Sequence, residues 1–83
     1  MNALRFFVFE DIKTLKKITK DTLFFELMNK KITSNAGDCY FLLRMFVTAG
    51  YLENYPGEKK PYLFNWDKIG QSLTDAGLDK NDN

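Results

Sequence analysis

The run "FVTAGYLENYPGEKKPYLFNW", residues 46–66, decides the fold, because both prolines of the chain, Pro56 and Pro61, fall in a short polar segment between two aromatic-rich ones. Proline fixes φ and lacks a backbone N–H, so it opposes a helix and suits a turn; Gly57 gives the loop further freedom. "YLENY" and "YLFNW" are short runs of strand-favouring residues on either side of that loop. The pattern predicts an antiparallel hairpin over about residues 51–66 with a charged tip at 56–61. Leu52 and Leu63 are expected to face the core, and Glu53 and Asn65 to face water.

Immediately upstream, "SNAGDCYFLLRMFVTAGYL", residues 34–52, carries the strongest helical signal of the chain. Ser34 or Asn35 is a suitable N-cap, Asp38 falls early, and Gly50 stands where a left-handed C-terminal cap belongs. At 100° per residue, Ala36, Cys39, Leu43, Phe46 and Val47 share one face, with Leu42 on its flank. Gly37, Phe41, Arg44, Met45 and Thr48 fall on the opposite face. One turn earlier, "TKDTLFFELMNKK", residues 19–31, predicts a second helix capped by Thr19, with Asp21 near its positive end. Leu23, Leu27 and Met28 line its apolar side, and Asn29 and Lys30 close it. "KKITSN" is then a turn with Ile32 as its single apolar peg.

The N-terminal "LRFFVFEDIKTLKKI", residues 4–18, is read as a helix over most of its length, with a strand at residues 4–9 as the alternative. Leu4, Val8, Ile12 and Leu15 recur at helical spacing, whereas "RFFVF" has strand composition. Lys13, Lys16, Lys17 and Lys20 form a cationic edge that serves as a solvated face. At the other end, "WDKIGQSLTDAG", residues 66–77, predicts a short helix capped by Asp67, carrying Ile69 and Leu73 and ended by Gly77.

The chain of 83 residues, 45% hydrophobic and 16% aromatic, is expected to form a single domain over residues 1–78 followed by a polar disordered tail at 79–83. A net charge of +1 supplies no overall basic field. With one cysteine and no histidine, an internal disulfide is excluded, as are zinc sites built on those residues; no cofactor or metal is expected. No run is long enough to span a membrane or to act as a signal peptide, and a cytoplasmic location is expected. The abundance of Lys, Asn, Phe and Ile is compatible with an AT-rich genome such as that of a phage or plasmid. Catalysis has no assembled parts: Glu10 and Asp11 are adjacent and diverge, and no base stands beside Thr33 or Ser34. Cys39 lies on an apolar face, as an inert buried thiol would. The expectation is a protein that is not an enzyme.

The order helix, helix, tight turn, helix, hairpin, short helix, as carried by "LFFELMNKKITSN", "CYFLLRMFVTAGYLE" and "KKPYLFNW", resembles the winged helix-turn-helix superfamily over roughly residues 19–66. The junction "AGYLE", Ala49 to Glu53, is similar to the alanine or glycine, large apolar residue and acid that follow the recognition helix in that family. The fold class implied is α+β, mainly α: a three-helix core with a two-stranded wing and a short C-terminal helix. The function implied is a small regulator of transcription or replication that binds double-stranded DNA. On that resemblance the helix at about 34–49 enters the major groove and the 56–61 wing lies on the backbone. Thr33, Ser34 and Asn35 would then meet phosphates at the helix start. Arg44 would reach a guanine or a phosphate, and Lys20, Lys30, Lys31, Lys59 and Lys60 would neutralise phosphates.

Phe41 and Met45 have three readings. In the first, the N-terminal or C-terminal helix covers them, and the third helix is buried all round. In the second, they form an exposed patch for a protein partner or a second copy of this chain, making the domain an interaction module or a phage-type inhibitor. In the third, Phe41 touches a thymine methyl group. Trp66, Tyr51, Tyr55 and Tyr62 either stack unpaired bases or pack across strands.

Overall fold

Thr19 and Asn35 start the two central helices, as their short polar side chains predict. The computed structural model describes residues 3–54 and 61–78. A 3₁₀ helix at Ala3–Val8 leads into the single turn α1 at Glu10–Lys13, and strand β1 at Lys17–Ile18 follows. Helix α2 spans Lys20–Asn29, α3 spans Ala36–Thr48, β2 and β3 span Leu52–Asn54 and Tyr62–Phe64, and α4 spans Trp66–Ala76. The protein is α+β and mainly helical, with a three-stranded antiparallel sheet in the order β1-β3-β2.

The Thr19 hydroxyl accepts the Thr22 N–H at 3.2 Å, and the Asn35 amide oxygen accepts the Asp38 N–H at 2.8 Å. Each cap satisfies one of the donors that a helix start leaves unpaired. Helices α2, α3 and α4 close alike. The N–H groups of Ile32, Tyr51 and Leu78 reach back to the carbonyls of Leu27, Phe46 and Leu73 at 2.9, 2.8 and 2.9 Å. That wrap requires one residue in the left-handed region. Gly50 and Gly77 supply it with φ of 86° and 75°, whereas after α2 it is Lys31, with φ of 59°.

The hairpin strands are as expected, and Leu52 and Glu53 face as expected, but the facing of β3 is shifted by one residue. Leu52 pairs with Phe64 and Glu53 with Leu63, so Phe64 rather than Leu63 joins the core. Side chains alternate across a strand, and a one-residue difference in register therefore exchanges the two faces. The N-terminal segment is helical over most of its length, as expected, though as a 3₁₀ helix followed by one α-turn. Residues 4–9 are neither a strand nor part of one long α-helix, and Lys17–Ile18 pairs with β3 through Lys17–Leu63 and Ile18–Tyr62. The sheet consequently has a third strand. Asn65, not Asp67, caps α4, its amide oxygen accepting the Lys68 N–H at 3.1 Å.

The core gathers Phe6, Phe7, Ile12, Ile18, Leu23, Leu27, Cys39, Leu42, Phe46, Leu52, Phe64 and Ile69. Phe7 is its hub, with ring centroids 4.9 Å from Phe46, 5.7 Å from Tyr51 and 6.0 Å from Trp66 in edge-to-face contact. Such pairs contribute about 0.5–1.5 kcal/mol each beyond the area they bury. Trp66 donates its indole N–H to the Leu15 carbonyl at 2.7 Å, and the Tyr51 hydroxyl donates to that of Ser72 at 2.9 Å. These aromatic residues are committed to packing. Tyr55, Lys59, Lys60, the wing tip and the 79–83 tail lie outside the described residues. Among the described residues no helix is long and apolar enough to cross a membrane.

Candidate functional site

Helix α3 presents an inner face of Cys39, Leu42, Leu43 and Phe46 and an outer face of Tyr40, Phe41, Arg44, Met45 and Thr48. The buried stripe is rotated towards Leu42 relative to the expected one: Ala36 and Val47 are exposed, and Leu42 is buried. Among the described residues nothing covers Phe41 and Met45, which are 63% and 43% exposed, so α3 is not buried all round. The first of the three readings of this pair is therefore corrected. Between α3 and the N-terminal 3₁₀ helix runs an apolar groove of about 520 Å³ lined by Leu4, Phe41, Met45, Ala49 and Tyr51 among others.

The cations divide into two groups. Lys30 is withdrawn: its ammonium lies 2.8 Å from Asp11 and 2.8 Å from Glu26 and 5.1 Å from the Phe9 ring, with the side chain only 10% exposed. The hydrogen bonds to Asp11 and then Glu26 raise the Lys30 pKa, and the same Lys30 hydrogen bond lowers that of Asp11. Lys30 is thus a clamp between α1 and α2, and its expected role at phosphates is corrected. Lys20, Lys31 and Arg44 are exposed. The Lys20 ammonium stands 5.5 Å from the Tyr40 ring and 6.0 Å from that of Phe24, in cation–π range at the edge of α3. Lys31 shares a shallow depression with Ser34 and Asp38 at the start of α3, and Arg44 borders another with Asn54 and Tyr62 of the hairpin strands.

At the α3 start the three expected phosphate contacts separate. Thr33 is only 6% exposed and donates its hydroxyl to the Asp38 carboxylate at 3.1 Å. Asn35 is occupied as the cap, and its amide NH₂ donates to the same carboxylate at 3.2 Å. Thr33 is therefore corrected to a structural role, whereas Asn35 is the expected cap and is exposed, as is Ser34. Asp38, the acid closest to the outer face, holds two neutral donors. Cys39 is buried, and desolvation followed by the Asp38 charge raises its thiol pKa. Glu10 and Asp11 point to different partners, Lys13 at 3.3 Å and Lys30.

Two features escaped the sequence reading. The Phe24–Tyr40 edge-to-face pair, with centroids 4.9 Å apart, joins the outer sides of α2 and α3. The spacing of Lys20 and Phe24, four residues on one helix, signals their own contact but not the partner on α3. The groove beside Leu4 required the tertiary path of the N-terminal segment and had no local signature. The chain matches no protein-family model, no curated protein and no solved structure.

Proposed function

We propose that this chain is a winged-helix module that binds double-stranded DNA, with α3 in the major groove and the β2–β3 connection beside the adjacent backbone. It would act as a small regulator of transcription or replication in a mobile element. The observation that carries the reading is the division of charge around α3. Lys20, Lys31 and Arg44 are exposed, while Asp11 and Glu26 are held by Lys30, and Asp38 is engaged by Thr33 and Asn35. A polyanion would therefore meet three exposed cations around α3, with Asp38 still charged beside Lys31 and Asp21 exposed next to Lys20. The helix order and the β1-β3-β2 sheet support the scaffold. Function nonetheless belongs to the site and not to the fold.

Lys31 adds weight. A left-handed backbone costs a non-glycine residue roughly 1–2 kcal/mol, and glycine fills the equivalent position after α3 and α4. A lysine at the turn before α3 keeps a charge there at that cost. The test is fluorescence anisotropy on a random-sequence duplex across a salt series. Binding should weaken with salt, with a slope of about 0.9 per phosphate contacted, and Arg44→Ala should weaken it further without altering the melting temperature. Absence of binding at low salt, or binding indifferent to salt, overturns the proposal.

A second reading is favoured by one observation, the apolar groove with Phe41 and Met45 open beside it. In that reading α3 receives an apolar segment of a protein partner. Met45→Asp would then abolish partner binding and leave DNA affinity irrelevant.

A further inference from the structure

We infer that α3 recognises thymine through its C5-methyl group, with Phe41 and Met45 as the contacting side chains and Arg44 as the neighbouring hydrogen-bonding reader. This inference rests on the DNA reading above and names the ligand that the same face selects.

The argument begins with what the outer face lacks. Among its described side chains, Arg44 alone offers a rigid multi-donor fork, and such a fork serves about one base pair. Tyr40 is held against Phe24 with Lys20 above it and is not free to search a groove. The most exposed of the large apolar side chains on this face is an aromatic ring, Phe41, and four residues later comes a thioether, Met45. Spaced by four on one helix, the two lie side by side.

The floor of the major groove is almost entirely donors and acceptors. Pressed on those atoms, a phenyl ring strips them of water and returns no hydrogen bond. The thymine methyl group is the one apolar complement that the four base pairs present there. An outer face of this composition therefore loses affinity over cytosine or purine edges and gains it over thymine. The exposed Lys20, beside Tyr40, and Lys31, beside Ser34 at the start of α3, complement phosphates, which favours a duplex over an uncharged apolar partner.

The probe is a pair of short duplexes of alternating thymine and guanine against their complement, identical except that every thymine of one is replaced by uracil. Only the methyl groups differ. The full chain should bind the uracil duplex about fourfold more weakly for each methyl group removed from beneath the helix, the effect of one buried methyl, with the salt slope unchanged. Phe41→Ala and Met45→Ala should each weaken the preference for the thymine duplex, and the double variant should bind both duplexes alike, with an unchanged circular dichroism spectrum. Equal affinity of the unaltered chain for the two duplexes overturns the inference and leaves the DNA reading standing. A thymine preference undiminished in the Phe41→Ala/Met45→Ala double variant overturns the assignment to these side chains. Binding to neither duplex at low salt overturns the DNA reading itself, and binding of a protein through this face would then take its place. The comparison on the unaltered chain needs no variant to fold.

Discussion

The two faces of α3 are built from the same kinds of residue and meet opposite fates. Cys39, Leu42, Leu43 and Phe46 are at most 8% exposed, whereas Phe41 and Met45, one position away in the sequence, stand in solvent. Hydrophobicity therefore does not decide burial here. The inner face is buried because α2, the sheet and the N-terminal phenylalanines converge on it. The outer face has no such neighbours among the described residues, and large exposed apolar groups beside one another mark a surface that meets something else. What is inside answers to packing, and what is outside answers, on the proposed reading, to a ligand.

The sharpest way to break this contrast is to truncate one ring on each side. Phe46→Ala removes a fully buried ring in contact with Phe7 and should cost about 3–5 kcal/mol in chemical denaturation. Phe41→Ala should change stability by no more than about 0.5 kcal/mol. Similar losses in both variants would mean that the outer ring belongs to the core. A smaller effect is expected where the inner face ends. Gly50→Ala forces a side chain into the left-handed region and brings its Cβ to 3.2 Å from the Lys68 side chain, so about 1–2 kcal/mol should be lost. A further effect, smaller than that at Gly50, reverses sign. Lys31→Gly relieves the same conformation at the end of α2 and should raise stability by up to about 1 kcal/mol while weakening DNA binding. A variant that is no more stable would show that the lysine carries no backbone strain worth removing.

Much of this architecture was legible locally. Thr19, Asn35 and Gly50 mark helix ends by chemistry confined to a few residues, and the proline-bounded loop marks the hairpin. The misreadings share a different origin. Residues Lys17 and Ile18 form a strand only because β3 lies beside them, and two residues carry no alternation to read. Phe64 replaces Leu63 in the core because facing depends on register, which the loop sequence does not specify. Lys30 resembled Lys31 until Asp11, nineteen residues away, closed on it. Thr33 and Asn35 were legible as polar residues at a helix start, but not as partners of one carboxylate. The outer face was legible as a set of residues, whereas its exposure was settled by the course of the N-terminal segment.

One topological detail governs how such a chain is assembled. The last of the three strands to be synthesised, β3, is the middle one, bonded to β1 on one side and β2 on the other. A nascent polypeptide stopped before Tyr62 thus has two edges and no centre, so it lacks the sheet as a whole and not merely a third of it. Helices α2 and α3, whose mutual contacts are short in sequence, can dock while the ribosome is still working. The ribbon, by contrast, must wait for Tyr62–Phe64 to emerge.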